Sequence, residues 1–528
     1  MKRNMTMIAV AAVAAGGAAN GAEVYSIPEG ERIYGGYAVA VDGVAAPVSE
    51  VRCSAMPFNR RWPGHQRQIE QTELCGMVRF AFDGKATVSV TADRDFREVK
   101  VRPLSRGIAV RRDGRTVTFD ITCPGGYSVE FDGWHNNLHV FADANTKFQV
   151  PSSQFQVPSP GTDCQQQADN SKGSAIVFGP GAHDVGIMTL NSGDRVYIDP
   201  GAVVYGGFHA KHARDIRIIG RGIIDASKVK ERILFEASGD GSVDCGNAER
   251  DYTIDFEDCR DFVIDGPVIR DSLAYNVSLW GCEDAEVKNV KIVGQWRYNT
   301  DGIDLRSCRR VKVSDCFART FDDTFCFKCP AGGYGNCEDN VFERCVAWND
   351  WGKAFEVGVG CRGEHMRRVT FRDCDCIHAT CWAMDVTNVD DGRDSDILFE
   401  DIRVECDERM PQQQMQKNDE SQFKTEFGPP LLFAGCIQFH HEYSGAKCGD
   451  RKAGFIDGVM LRNVRVTGAN GRKPVVHLQA FDEAHRPENV VFEGLTIDGK
   501  PIIGPDVVDL WLAGPAIAPE FRAAPTAK

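Results

Sequence analysis

Long hydrophobic runs are scarce in this 528-residue chain. Met7 to Ala15 (MIAVAAVAA) stands out, and it falls far short of the ~20 apolar residues that a membrane-spanning helix needs, so no membrane span is expected. Positive charge is also short: 61 Lys and Arg face 75 Asp and Glu, for a net charge of −14. A chain this acidic is repelled by phosphate backbones, which argues against nucleic acid as a partner. Proline is sparse, 23 against 53 glycines, and there is neither a leucine ladder nor the helical spacing of apolar residues. Leucine-rich and helical repeats are therefore poor fits. Cys326-x-x-Cys329 and Cys374-Asp-Cys376 lack an obvious paired His motif, so no metal is assigned to them and no cofactor is expected.

What is present is the composition of a folded protein, 42% hydrophobic and 26% charged. The 30 Phe, the many Val and Ile and the abundant glycine favour strands and turns. Length alone suggests three or four domains, unless one repetitive solenoid absorbs most of the chain. Lys2 and Arg3, the short apolar run and the small residues through Ala22 read as a secretory signal peptide over residues 1–22, and predict a secreted or periplasmic protein. The 20 cysteines fit an oxidising compartment without proving disulfides. Cys326, Cys329 and Cys337 crowd one loop and are placed to bridge, whereas Cys316, Cys345 and Cys374 recur at steps of 29 and read as buried, stacked thiols.

Residues 23–174 alternate apolar and polar in short runs (ATVSVTAD, RTVTFDITC, YSVEFDG, LHVFAD) with Asp-Gly turns between them. That pattern predicts an antiparallel β-sandwich ending in a polar, Pro-containing linker. From 175 to 510 a different order takes over, apolar-x-apolar-x-(Asn/Asp/Gly)-apolar. Its inward positions are Ile264, Val287, Val313, Phe342, Phe371, Phe399, Leu461 and Phe492, at steps of 23, 26, 29, 29, 28, 62 and 31. The step of 62 reads as two coils' worth and holds a polar insertion from about Glu408 to Pro430. Short strands at this period, with like residues stacking between coils, predict a right-handed parallel β-helix that buries its faces only against neighbouring coils. Residues 511–528 are expected to be a flexible tail.

The chemistry gathers on successive coils. In WRYNTDGIDLRSCRRVKVSDCFARTFDDTFCFK, Asp301 lies just before one strand, and Asp322 and Asp323 lie just before the equivalent strand of the next coil. Coils stack ~4.8 Å apart, so these carboxylates share one outer face. Lys328, then Trp351, Lys353 and Glu356, then Trp382 and Asp385 follow on the next coils, with Tyr275 and Asn276 on the preceding one. Aromatics that stack on sugar C–H faces, beside carboxylates that bond hydroxyls and move protons, make a sugar-binding groove. Crowded carboxylates drive one pKa up and leave another low, which supplies the acid and the base that glycoside hydrolysis needs. Taken alone, Asp-Asp reads as a turn cap or a calcium ligand before it reads as a catalytic pair; the Asn-Thr-Asp-Gly one coil away reverses that order.

Asn299-Thr300-Asp301-Gly302 followed by Asp-Asp 21 residues after the first Asp, on a β-helix, resembles glycoside hydrolase families 28 (polygalacturonase-like) and 49 (dextranase/isopullulanase-like). The sandwich before the β-helix is similar to family 49. The resemblance implies inverting hydrolysis, with Asp322 as general acid, Asp301 and Asp323 as the pair that holds and activates water, and Asn299 orienting Asp301 or contacting the sugar. The chain departs from family 28 at Gly352-Lys353-Ala354, where that family has Gly-His-Gly, and at Ala383-Met384-Asp385-Val386, where it has the Arg-Ile-Lys that grips a uronate. These departures favour a neutral glycan, dextran- or pullulan-like, over polygalacturonate. A polysaccharide lyase and a non-catalytic glycan-binding β-helix remain the competing readings.

Overall fold

The computed structural model describes residues 21–60, 68–148, 173–229, 252–330, 334–362, 365–416, 418, 420–438 and 453–525. Almost all of the expected signal peptide, most of the linker and His440-His441-Glu442, a segment near the polar insertion whose sequence reads as a loop, lie outside the described residues.

Residues 23–144 fold as two facing sheets. One takes Val44–Ala46, Tyr37–Val41, Ala86–Ala92, Thr116–Ile121 and Arg111–Asp113, all antiparallel. The other takes Glu23–Val24, Ser49–Ser54, Thr72–Phe82, Leu138–Ala144, Gly125–Phe131 and Val99–Arg102. It contains one parallel pair, Leu138–Ala144 beside Thr72–Phe82. The alternation legible in ATVSVTA is the alternation of burial: Val88 and Val90 point into a core with Phe80, Phe119 and Phe131, while Thr87, Ser89 and Thr91 face outward.

The β-helix follows, with twelve rungs among the described residues on one of its sheets, from Ala175–Phe178 to Glu520–Arg522. Its inward ladder is Ile264, Val287, Val313, Phe342, Phe371, Phe399, Leu461, Phe492, each paired to the next in parallel register. Phe342 and Phe371 stack at 5.2 Å, and Phe371 and Phe399 do the same. Two residues after each anchor the chain turns with positive φ, at Gly266, Asn289, Asp315, Arg344, Asp373, Asp401, Asn463 and Gly494. This left-handed corner explains the Asn/Asp/Gly in the repeat, because short polar side chains and glycine tolerate it. Arg344 is the departure, and its guanidinium is held by Asp315 at 2.8 and 2.9 Å.

Three expectations need correcting. Phe399 pairs directly with Leu461, so the step of 62 is one coil enlarged by excursions rather than two coils; backbone pairing follows the next available matching strand, and insertions of any length can leave between strands. The expected flexible tail is built into the rod: Asp509–Ala513 pairs with Val475–Gln479, and Glu520–Arg522 pairs with Glu488–Glu493, where Phe521 stacks on Phe492 at 5.1 Å. An unpaired last rung would expose its edge and its apolar face, and these strands cover both. Cys326 and Cys337 are buried free thiols, so no bridge forms within this trio, and Cys329 is buried with them. Cys316, Cys345 and Cys374 are free and buried as well, and the Cys345 amide donates to Cys374 Sγ at 3.4 Å.

The sandwich lies against the rod through buried polar contacts. Arg319 is fully buried; its Nε donates to Asp350 at 3.0 Å, and its other nitrogens donate to Asn137 Oδ1 at 2.9 Å and to the Ser54 carbonyl at 3.2 Å. Arg102 of the sandwich pairs with Glu130 and with Glu405 of the rod, and Lys291 pairs with Asp143.

Candidate active site

Two outward lines of side chains run along the rod. Tyr252, Tyr275, Asp301, Asp323, Lys353 and Trp382 each stand two residues before a strand, and their carbonyls from Tyr275 onward accept from the next-to-strand amides of the preceding coil. The second line lies three residues further on: Ser278, Asp304, Cys326, Glu356 and Asp385, in parallel register. Because a strand alternates its faces, these project from the same side while Ile303, Leu305, Phe325 and Phe327 fill the core. The coils approach closely here. A Cβ on Gly302 would sit 2.1 Å from the Thr324 carbonyl oxygen, and one on Gly352 would sit 2.6 Å from the Asp323 amide nitrogen. Both positions therefore need glycine.

The three aspartates come together with two lysines among them. Lys328 Nζ lies 2.8 Å from Asp301 Oδ2, 2.8 Å from Asp304 Oδ1 and 3.5 Å from Asp323 Oδ2. Lys353 Nζ lies 2.7 Å from Glu356 and 3.7 Å from Asp323, and its backbone amide donates to Asp323 Oδ1 at 3.2 Å. These two cations and the amide hold the Asp323 carboxyl well below its ordinary range, against its burial. Burial and the neighbouring Asp323 push Asp322 up to about 7. Burial raises Asp301 too, opposed by the Lys328 ammonium, and Asp301 Oδ1 is buried without a hydrogen-bond partner. Adjacent residues are thus pushed in opposite directions, Asp322 toward its protonated form below about pH 7 and Asp323 toward its ionised form.

The Asp322-Asp323 turn is clamped from below. Asn349 Nδ2 donates to the Asp322 carbonyl at 2.8 Å, to Thr324 Oγ1 at 3.0 Å and to the Lys353 carbonyl at 3.1 Å. Thr320 Oγ1 donates to the same Asp322 carbonyl at 2.6 Å. Arg319 and Asp350, the pair that faces the sandwich, are the immediate neighbours of Thr320 and Asn349 in the chain.

The other expected residues divide. Tyr275 lines the groove, stacked on Tyr252 at 4.8 Å with Lys328 Nζ 5.0 Å from its ring. Trp351 is half-buried against Phe321 at 5.9 Å. Trp382 lies at the far end of the first line, and Asp385 is buried beside it, with Oδ2 unpartnered and its pKa raised to about 6 by burial. Asn299 is half-buried in a left-handed turn. Two expected sugar contacts are structural instead. Asn276 is fully buried and donates to the Asp301 carbonyl at 2.7 Å, because stacking of the next coil covers it. Glu356 is fully buried under Asp323, and burial with that neighbouring charge drives its pKa well up, so it serves as a neutral hydrogen-bond partner in the floor.

Sequence reading missed Asp304, Cys326 and Tyr252. The signal was present: Asp304, Cys326, Glu356 and Asp385 each follow a first-line residue by three, so one offset collects the whole second line. Oxygen and sulfur atoms of Asp301, Asp304 and Cys326, and of Asp323, Cys326 and Glu356, gather within 4.8 Å. The positive charge set among them is the Lys328 ammonium.

A model of Glycosyl hydrolases family 28 matches residues 206–332, the stretch that contains Asp301, Asp322 and Asp323. The structure is similar to that of Dex49A from Penicillium minioluteum at 14% identity, with a TM-score of 0.62 over 92% of this chain and 96% of that one. It also aligns with the polygalacturonase from Erwinia carotovora ssp. carotovora at 14% identity, with a TM-score of 0.48 over 69% of this chain and 98% of that one. No curated protein matches.

Proposed function

We propose that this chain is an exported O-glycosyl hydrolase that cleaves a neutral glycan by single displacement with inversion. The observation that carries this reading is the gathering of Asp322 and Asp323 with Asp301 of the adjacent coil around Lys328 and Lys353, where Asp322 is pushed up and Asp323 held down. Asp322 delivers its proton to the glycosidic oxygen as the bond to the anomeric carbon breaks. A water held by Asp301 and Asp323 gives up a proton to that pair and attacks the same carbon from the opposite face. The match to the family 28 model over this segment supports the assignment.

Charge supports a neutral substrate. Lys328 and Lys353 are already engaged by Asp301, Asp304, Asp323 and Glu356, so neither is free to hold a uronate. Arg306, stacked 4.3 Å over Trp280 at the flank, is the residue that favours the acidic alternative.

Digestion of dextran, pullulan and polygalacturonate, followed by NMR of the first-formed product, tests the reading. Reducing ends of inverted configuration from a neutral glycan are expected. Initial release of the retained anomer overturns the mechanism, and a product absorbing in the near ultraviolet makes the protein a lyase.

The pH profile should follow the same groups. Turnover falls as pH rises through about 7, where Asp322 loses its proton. Lys328→Met removes the charge that favours the ionised forms of Asp301 and Asp323, so the acidic limb should move to higher pH and turnover should drop by roughly 10². An unmoved acidic limb would show that Lys328 does not set the charge of the base pair.

A further inference from the structure

The second outward line does not stop at Asp385. Parallel register carries it on through Ala434 and His477 to Trp511, whose strand belongs to the segment expected to be a loose tail. Each rung adds ~4.8 Å, so Trp511 stands about 14 Å beyond Asp385, a distance of several sugar rings. Trp382, the end of the first line, joins the same patch. Its ring lies parallel to His477 at 6.1 Å and edge-on to Trp511 at 6.4 Å, and His477 meets Trp511 at 6.2 Å. Trp511 is 41% exposed. Ala434 is small and buried, and the Trp382 ring reaches across its rung to His477. His477 Nδ1 is buried and has no hydrogen-bond partner.

We propose that Trp382, His477 and Trp511 form a distal glycan-binding platform that holds the same polysaccharide chain whose bond is cut at Asp322, and that the chain lies along the rod axis toward its C-terminal end. This rests on the hydrolase reading. The occupant is argued from continuity and chemistry. The platform ends the line that carries Asp301 and Asp323 and continues the line that carries Asp304, without a change of face. Its surface is aromatic. Aromatic faces take the C–H side of a pyranose. A platform this far from the cut serves a polymer, since a disaccharide at the aspartates cannot reach it. A cap of the rod end would bury these rings against one another, whereas Trp511 keeps a large part of its ring open.

The test uses the full-length chain carrying Asp322→Asn to stop turnover, with Trp511→Ala, Trp511→Phe or His477→Gln added. Retardation in gels containing dextran, pullulan or polygalacturonate reads binding to the polymer. Trp511→Ala should weaken the affinity for the retarding polymer at least tenfold, and Trp511→Phe should keep most of it. In the active background, Trp511→Ala should lower kcat/KM on the polymer about tenfold more than on the shortest oligosaccharide cleaved. Thermal unfolding of each variant separates this from loss of the fold, and Trp511→Phe and His477→Gln carry the test if the alanine variant unfolds. Equal retardation with and without Trp511, equal losses on polymer and oligosaccharide, or no retardation by any of the three polymers overturns the platform. Failure of the hydrolase reading looks different: the unsubstituted chain releases no product from a polymer that it binds in a Trp511-dependent way.

Discussion

Asp322→Asn is expected to cut turnover on the true polysaccharide by roughly 10²–10⁴ or more while leaving the fold intact, since Asn keeps the size and most hydrogen bonds but exchanges no proton. Asp301→Asn and Asp323→Asn should fall as far. Leaving-group chemistry separates the roles. An aryl glycoside with an acidic phenol needs little protonation, so Asp322→Asn should recover part of its activity on it and the two base variants should not. Environment separates Asp322 from Asp323: Asp322 is pushed up to about 7 by burial and by Asp323, whereas Asp323 is held down by Lys353 and Lys328. Rescue of the base variants instead of Asp322→Asn would reverse the roles, and near-normal activity in all three would remove the groove from catalysis and favour a binding protein.

Arg319→Met should destabilise the protein by about 3–5 kcal/mol, the usual consequence of leaving a buried charge without its partner. Asp350 would remain fully enclosed, with Trp348 Nε1 at 2.8 Å as its remaining side-chain donor, and burial already holds its pKa at about 6 with Arg319 in place. The sandwich would lose its bonds through Asn137 and Ser54 at the same stroke. Adding Asp350→Leu should recover most of the loss, because replacing both partners by apolar groups removes the uncompensated charge. Denaturant unfolding of the two variants reads this directly. A change below about 1 kcal/mol for Arg319→Met would mean that the guanidinium is not needed between the domains.

Much of the architecture is a local property of the chain. Ile264 to Phe492 could be aligned from sequence because each rung repeats one strand and one left-handed corner, and Asn, Asp or Gly marks nearly every corner. The aspartates were legible for the same reason: a residue just before a strand keeps that place on every coil. Asn276 and Glu356 were misplaced because a polar residue beside a site looks the same in sequence whether it faces the groove or supports it. Only the packing of the next coil shows that the Asn276 amide is used on a carbonyl.

By itself, then, the sequence determined the strand period, the change from alternating sandwich to repeating rod and the line of Asp301, Asp322 and Asp323, because periodicity of two and of one coil is written in neighbouring residues. Tertiary structure decided the rest. It paired Phe399 with Leu461 across 62 residues, drew the final strands onto the rod and set Lys328 between carboxylates of two coils. It also buried Arg319 beneath the Asp322-Asp323 turn against a domain more than 180 residues away in the chain. Those outcomes depend on which surfaces remain uncovered once the coils stack, and that is fixed by burial and charge pairing in three dimensions, not by spacing along the chain.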